Sequence, residues 1–213
     1  NLAAITVLNN KNDVLPLHPD LKEAAILNVG KPEEIEPFDR KMKKYTSFAR
    51  FQLRKDLPEA EQQKLRDSLA AYRRVIVTVT GQRLAPYQSF APESPVIYVF
   101  YTPAKSMLQI QRAVSAAEAV VLAHASRDDV QERVADLLFG KATADGRLSA
   151  SIGGLFPTGS GVTITPHTPF HFVPEEYGMK SEVLRRIDTI ALEGIKEGAY
   201  PGCQVLVMKD GKS

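Results

Sequence analysis

The chain has one cysteine, Cys203, and no tryptophan in 213 residues. A lone cysteine excludes an internal disulfide and any cysteine-based metal cluster. It leaves the compartment open, because an exported bacterial protein need not contain disulfides. An excess of one charge is also missing: 27 Lys and Arg stand against 25 Asp and Glu, a formal net charge of +2. That balance gives no reason to expect nucleic acid or an anionic membrane as partner. No apolar run approaches the roughly 20 residues of a membrane span, and the first residues do not read as a signal peptide. What is present is ordinary for a globular protein, with 44% hydrophobic and 24% charged residues, enough for one domain with a real core plus a fragment.

The ends suggest a piece of a longer polypeptide. The chain starts at Asn1 without a methionine. It stops at Lys209-Asp210-Gly211-Lys212-Ser213, a hairpin turn with no return strand.

The most informative stretch is 119–151, AVVLAHASRDDVQERVADLLFGKATADGRLSAS. Val120 to Ala123 form a short β-branched run, as a strand buried on both faces would. Ser126, Asp128 and Asp129 offer N-cap oxygens and negative charge at a helix start. Val130, Val134, Leu137 and Leu138 recur at helical spacing, giving one apolar face. Gly140 is placed for a left-handed stop, and Asp145-Gly146 for a tight turn into a strand at Arg147-Leu148-Ser149-Ala150. Elsewhere, strands are expected at Ile5–Leu8, Ala24–Val29, Val75–Val79 and Val96–Tyr101. A helix is expected over Pro58–Arg73, with Leu65, Leu69 and Tyr72 on its apolar face. Another should carry Leu108, Ile110, Val114 and Ala117, and a short one starts at Pro32 and ends by Pro37. Val14-Leu15-Pro16-Leu17 suits a hydrophobic loop tucked under the domain, and 41–51 an edge strand and loop. Alternating strands and helices predict an α/β fold: an open, mostly parallel sheet with helices on both faces, a three-layer sandwich.

ADLLFGKATADGRLSAS resembles the A-D-x-L-F-G…G-R-L-P segment in the C-terminal α/β sandwich domain of family 3 glycoside hydrolases. Ile5-Thr6-Val7-Leu8-Asn9-Asn10 followed by Val14-Leu15-Pro16-Leu17 is similar to the I-T-L-L-K-N…L-L-P-L that opens that domain. The resemblance spans roughly residues 1–160. It implies an organisation of 1–155 as that domain, 156–176 as a Gly- and Pro-rich linker or strap, and 177–213 as a further fragment. In the fragment, Ser181 is expected to cap a helix with Val183, Leu184, Ile187 and Ile190, followed by a strand at Gln204–Met208. PGCQVLVMKDGK resembles the start of a serine β-lactamase-like domain, whose S-x-x-K nucleophile would lie downstream.

The resemblance also implies where chemistry is absent. The family's nucleophile is a carboxylate on a separate N-terminal barrel, one of the two groups glycoside hydrolysis needs. Many members place the acid/base glutamate on the sandwich domain, in a loop broadly like TGQRLAPYQSF here, which contains no carboxylate. The departure points to the β-N-acetylglucosaminidase-like subgroup, where a barrel His–Asp pair takes that role. The expectation is a non-catalytic accessory domain without catalytic residues, cofactor or metal. It would buttress a barrel of the same chain, and a serine-hydrolase-like domain would follow it. Carbohydrate would be met through the parent, with the periplasm or cell surface as location.

Substrate-cleft candidates are Gln82, Arg83, Ser126 and Arg127, just past strand carboxyl ends, where open α/β sheets bind ligands. The competing reading places all four on solvent or a domain interface. His124 reads as a hydrogen-bonded core histidine rather than a catalytic one, and His18, His167 and His171 lack metal-ligand company. Asp128 and Asp129 are accounted for by the helix start. Gly153, Gly154, Gly159 and Gly161 fit no phosphate-loop spacing, and the basic-aromatic stretch 41–51 reads as a solvated edge. Two rivals remain. One is an independent small-molecule-binding α/β domain. The other is an enzyme complete in these residues, for which no nucleophile–base set is visible.

Overall fold

A computed structural model describes residues 5–17, 24–166, 174–205 and 207. It divides the chain into two compact units, residues 1–166 and 167–213. The first unit holds six strands: β1 (Thr6–Asn10), β2 (Ala24–Val29), β3 (Ala49–Leu53), β4 (Arg74–Val79), β5 (Val96–Phe100) and β6 (Ala119–Leu122). They form one sheet in the order β1-β6-β5-β4-β2-β3. Every neighbouring pair is parallel except β1 with β6. The helices are α1 (Glu36–Met42), α2 (Glu59–Ala70), α3 (Gln111–Ala116) and α4 (Asp128–Leu138).

This is the expected α/β sandwich. Strands β2, β4, β5 and β6 are almost wholly apolar because helices cover both faces. One face carries Leu27, Val77, Tyr98, Phe100 and Leu122, packed with Leu69 of α2 and Val114 of α3. Alternate residues point the other way; there Phe38 of α1 meets Tyr101 edge to face at 6.2 Å. That face also has a polar chain across three strands. Thr78 Oγ1 donates to Asn28 Oδ1 at 3.1 Å, Asn28 Nδ2 to Gln52 Oε1 at 2.9 Å, and Gln52 Nε2 to the Gly30 carbonyl at 2.6 Å. The amide and hydroxyl oxygens of Asn28, Gln52 and Thr78 thereby each take part in a hydrogen bond, which spares the cost of an unmet one.

Leu15 and Leu17 are buried, and the Leu17 N–H donates to the Leu138 carbonyl, so the Val14–Leu17 loop does tuck under the domain. Gly140 is left-handed, at φ 71°. Several local expectations need correction. Pro37 does not end a helix: it sits in the first turn of α1, where its missing N–H is not needed. Residues 41–51 do lead into the expected edge strand, β3, but the stretch is not simply solvated, because Tyr45 and Phe48 are buried and Tyr45 stacks on Phe139 at 4.3 Å. Leu108 is exposed, since its turn is 3-10 rather than α and rotates it outward. Ser126 does not cap α4: Arg127 holds the cap position, and the Ser126 hydroxyl turns to the Glu34 carbonyl at 3.4 Å.

No strand forms at residues 147–150. The segment is instead pinned by close approach, because a Cβ on Gly146 would collide with Thr6 and Ile5. The chain then runs on as a strap: Leu148 N–H donates to the Ser160 carbonyl, and Val162 N–H to the Val7 carbonyl at 2.7 Å. The second contact covers the β1 edge, which would otherwise present unpaired backbone.

The second unit contains α5 (Ser181–Lys196), none of whose residues is buried. Ser181 is not its cap. The Glu175 carboxylate reaches in, accepting from Ser181 N–H at 2.8 Å and Ser181 Oγ at 2.9 Å. Gly194 leaves room for Tyr200, whose hydroxyl donates to the Ala191 carbonyl at 3.3 Å. The strand expected at Gln204–Met208 is not seen at Gln204, Val205 or Val207, since no strand among the described residues of this unit supplies a hydrogen-bonding ladder. Its remaining positions 206 and 208 lie outside the described residues, as do His18, His167 and His171.

Candidate functional site

After β2 the chain crosses to β3 on one side, and β4 lies on the other side of β2. The crevice of an open α/β sheet lies at such a reversal, beyond the carboxyl ends of the strands. Those ends step across the sheet: Thr80 N–H donates to the Val29 carbonyl, Tyr101 N–H to the Val79 carbonyl and Ala123 N–H to the Phe100 carbonyl. Gly30 closes β2 at φ 145° and lies so near Thr80 that any side chain there would strike the Thr80 hydroxyl.

Three buried side-chain oxygens on this edge have no hydrogen-bond partner among the described residues: Thr80 Oγ1, Tyr101 Oη and Asp39 Oδ1. Asp39 engages Arg50 Nε through its other oxygen at 2.9 Å. Burial, with a smaller contribution from the Asp39 charge, pushes the Tyr101 phenol well above its ordinary pKa. It therefore stays a neutral donor. His124 occupies the middle of a three-residue turn with φ 62°, closed by Ala125 N–H on the Ala123 carbonyl at 2.8 Å. Its ring lies at the surface rather than in the core, because β6 has already ended and the turn swings it outward. Partial loss of hydration still holds its pKa below the usual value.

The four sequence-derived candidates lie in two exposed loops on this edge, Gln82 and Arg83 after β4, Ser126 and Arg127 after β6. No hydrogen bond joins one loop to the other among the described residues. Arg127 is paired locally, with its guanidinium on both oxygens of Asp129 at 3.0 and 2.6 Å. That hydrogen bond, ahead of the charge itself, holds the Asp129 carboxyl below its ordinary pKa. Each loop is held by a glutamine. Gln109 Oε1 accepts from Leu84 and Ala85 N–H at 2.9 and 3.2 Å, and its Nε2 donates to the Gln82 carbonyl at 2.7 Å. Gln131 Oε1 accepts from Phe38 N–H at 3.2 Å, and its Nε2 donates to the Glu34 and Ser126 carbonyls at 2.8 and 2.9 Å.

Sequence reasoning missed Thr80, Tyr101, Asp39 and both glutamines. Thr80 and Tyr101 could have been found as the first residues beyond buried strands. Asp39 was hidden by the expectation that the helix ends at Pro37. Among the described residues no group of three His, Cys, Asp or Glu side chains could hold a metal ion. The other face encloses a narrow apolar cavity of about 20 Å³ bordered by Leu27, Val77, Leu84, Phe90 and Tyr98, room for about one water-sized group.

No family model matches the chain, and no curated protein is similar to it in sequence. Solved structures do match. The fold is one found within glycoside hydrolases. A fungal multi-domain family 3 β-N-acetylglucosaminidase, with a GCN5-related glucosamine N-acetyltransferase region, is similar over 78% of this chain and 19% of its own, at TM-score 0.56 and 17% identity. The Listeria innocua β-glucosidase in complex with isofagomine is similar over 70% of this chain and 25% of its own, at 0.52 and 15%. A variant of the Listeria innocua enzyme with laminaribiose is similar over 83% and 29%, at 0.53 and 15%. The chain thus spans less than a third of each of these proteins.

Proposed function

We propose that residues 1–155 are a non-catalytic accessory domain of an exo-acting family 3 glycoside hydrolase, of β-N-acetylglucosaminidase or β-glucosidase type. The observation that carries this reading is the shared fold, which covers most of this chain and a minor part of each glycosidase. The catalytic barrel is then a separate N-terminal domain of the same polypeptide. The domain's carboxyl edge, with Gln82, Arg83, Ser126 and Arg127, faces the cleft. Residues 80–90 contain no Asp or Glu, so this stretch supplies neither of the two carboxylates that glycoside hydrolysis uses; the one acidic residue of the loop, Glu93, lies further on, just before β5. Residues 156–176 connect to a serine β-lactamase-like domain whose first elements are 177–213, and the protein works in the periplasm or at the cell surface. The test is turnover of chromogenic β-glucosides and β-N-acetylglucosaminides by the purified chain. No turnover is expected, and reproducible hydrolysis abolished by no contaminant control would sink the accessory role.

A second reading, an independent small-molecule-binding domain, is favoured by the three unpartnered oxygens of Thr80, Tyr101 and Asp39 at the sheet reversal. Thermal stabilisation by a nucleotide or inorganic phosphate, with none by glucose or N-acetylglucosamine, would select it over the first.

A further inference from the structure

The two loops that carry the cleft candidates are fixed in the same unusual way. Each has a short backbone turn of its own, Tyr87 N–H on the Leu84 carbonyl in one and Ala125 N–H on the Ala123 carbonyl in the other, and a side-chain clamp besides. A single glutamine side chain from a neighbouring element reaches each loop and satisfies main-chain groups on both sides of its amide. Gln109, in the turn Ala104–Ile110, makes three hydrogen bonds to the backbone of residues 82–85. Gln131, on α4 and 2% exposed, bridges three backbone segments at Glu34, Phe38 and Ser126. A primary amide is the side chain suited to this, since it offers an acceptor and donors on one rigid plane. Leu84 is fully buried beside Gln82 and Arg83. The Gln109 contacts therefore hold the exposed pair in register with the core.

We propose that Gln109 and Gln131 are positioning residues that pre-form the carboxyl-edge rim, Gln109 presenting Gln82 and Arg83, and Gln131 presenting Ser126 and Arg127. The inference rests on the accessory-domain reading for what the rim meets, a barrel and its sugar. The clamps themselves rest on geometry alone. A rim held in place meets its target without paying the ordering entropy of a loose loop. The two glutamines act through the backbone and touch no substrate.

Limited trypsin digestion of this chain, read by mass spectrometry, tests the first clamp at the Arg83–Leu84 bond. The wild-type chain is expected to resist there. Gln109→Ala releases three hydrogen bonds and should be cut at Arg83 at least about tenfold faster, with other Lys and Arg sites unchanged. Gln109→Glu keeps an acceptor for the Leu84 and Ala85 N–H groups but sets an oxygen against the Gln82 carbonyl, so its cleavage rate falls between the two. Equal cleavage of wild type and Gln109→Ala at Arg83 overturns the clamp. Should Gln109→Ala be cut throughout, Gln109→Glu decides: cleavage gained at Arg83 alone supports the clamp, and the wild-type pattern overturns it. For the second clamp, Gln131→Glu keeps the acceptor for the Phe38 N–H but sets an oxygen against the Glu34 and Ser126 carbonyls, so it should speed amide exchange around Glu34 and in the 124–127 loop while β4 and β5 amides keep their protection. Unchanged exchange at both places overturns it. In the glycosidase of the accessory reading, Gln109→Ala raises KM and leaves kcat within about twofold. Selective cleavage with an unchanged KM keeps the clamp and overturns the accessory cleft role.

Discussion

Helices α4 and α5 have similar sequence texture, apolar residues at helical spacing with acidic residues in the first turn, yet their surroundings differ entirely. α4 buries Val130, Gln131, Val134, Ala135, Leu137 and Leu138. In α5, Val183 is 55% exposed and Ile190 and Leu192 are each 66% exposed. The first helix buries its apolar face within the sandwich of the first unit, and the second has no such layer among the described residues of its unit. An amphipathic pattern states that a face wants cover. It does not state what provides the cover, and helical stability in proteins comes chiefly from that cover rather than from propensity.

The largest effect should come from truncating the two helices in parallel. Leu137→Ala removes a side chain with no exposed surface and should cost about 2–5 kcal/mol in urea unfolding. Leu192→Ala should change stability by less than about 0.5 kcal/mol. A loss of several kcal/mol for Leu192→Ala would show that α5 is covered in solution, erasing the contrast.

A smaller effect is expected at the start of α5. Burial raises the Glu175 carboxyl pKa, but its hydrogen bonds from the Ser181 N–H and hydroxyl outweigh this and leave it below the ordinary value. Because the folded-state pKa is depressed, the cap is complete above the unfolded carboxylate range and is lost as pH falls through the folded value. Helical circular dichroism should therefore drop in acid, as pH falls below the ordinary carboxylate range. Glu175→Gln should remove that acid step and cost at most about 1 kcal/mol of helix stability. An acid step that persists in the variant would assign it elsewhere.

The smallest effect is expected at the start of α4. Asp129→Asn breaks an exposed pairing with Arg127, and the melting temperature should not move measurably. A clear drop would mean that the Arg127 loop is held by this ion pair rather than by Gln131.

Much of the fold was legible because its signals are local. The β-branched runs at Val75–Val79 and Val120–Ala123, the stop at Gly140 and the apolar face of α4 each need only a window of a few residues. Pro37 misled because its tolerated place in a first turn depends on where the helix starts, which the preceding 3-10 turn at Pro32–Ile35 shifted. The expected strand at 147–150 failed because the nearby backbone of Ile5 and Thr6 claims that space. Of the candidate site, the loop positions of Gln82, Arg83, Ser126 and Arg127 were readable from strand ends. The partners of those loops were not, since Gln109 lies 27 residues from Gln82 and Gln131 lies 97 from Glu34.

By itself the sequence determined the α/β class, the parallel strands and the lack of carboxylates in residues 80–90, because apolar period, turn residues and composition are properties of short segments. Only the tertiary structure decided the order β1-β6-β5-β4-β2-β3, the strap over the β1 edge, the exposed turn at His124 and the two glutamine clamps. Those depend on which distant backbone groups meet. Hydrogen-bonding capacity is spread along every chain, and folding alone selects the pairs.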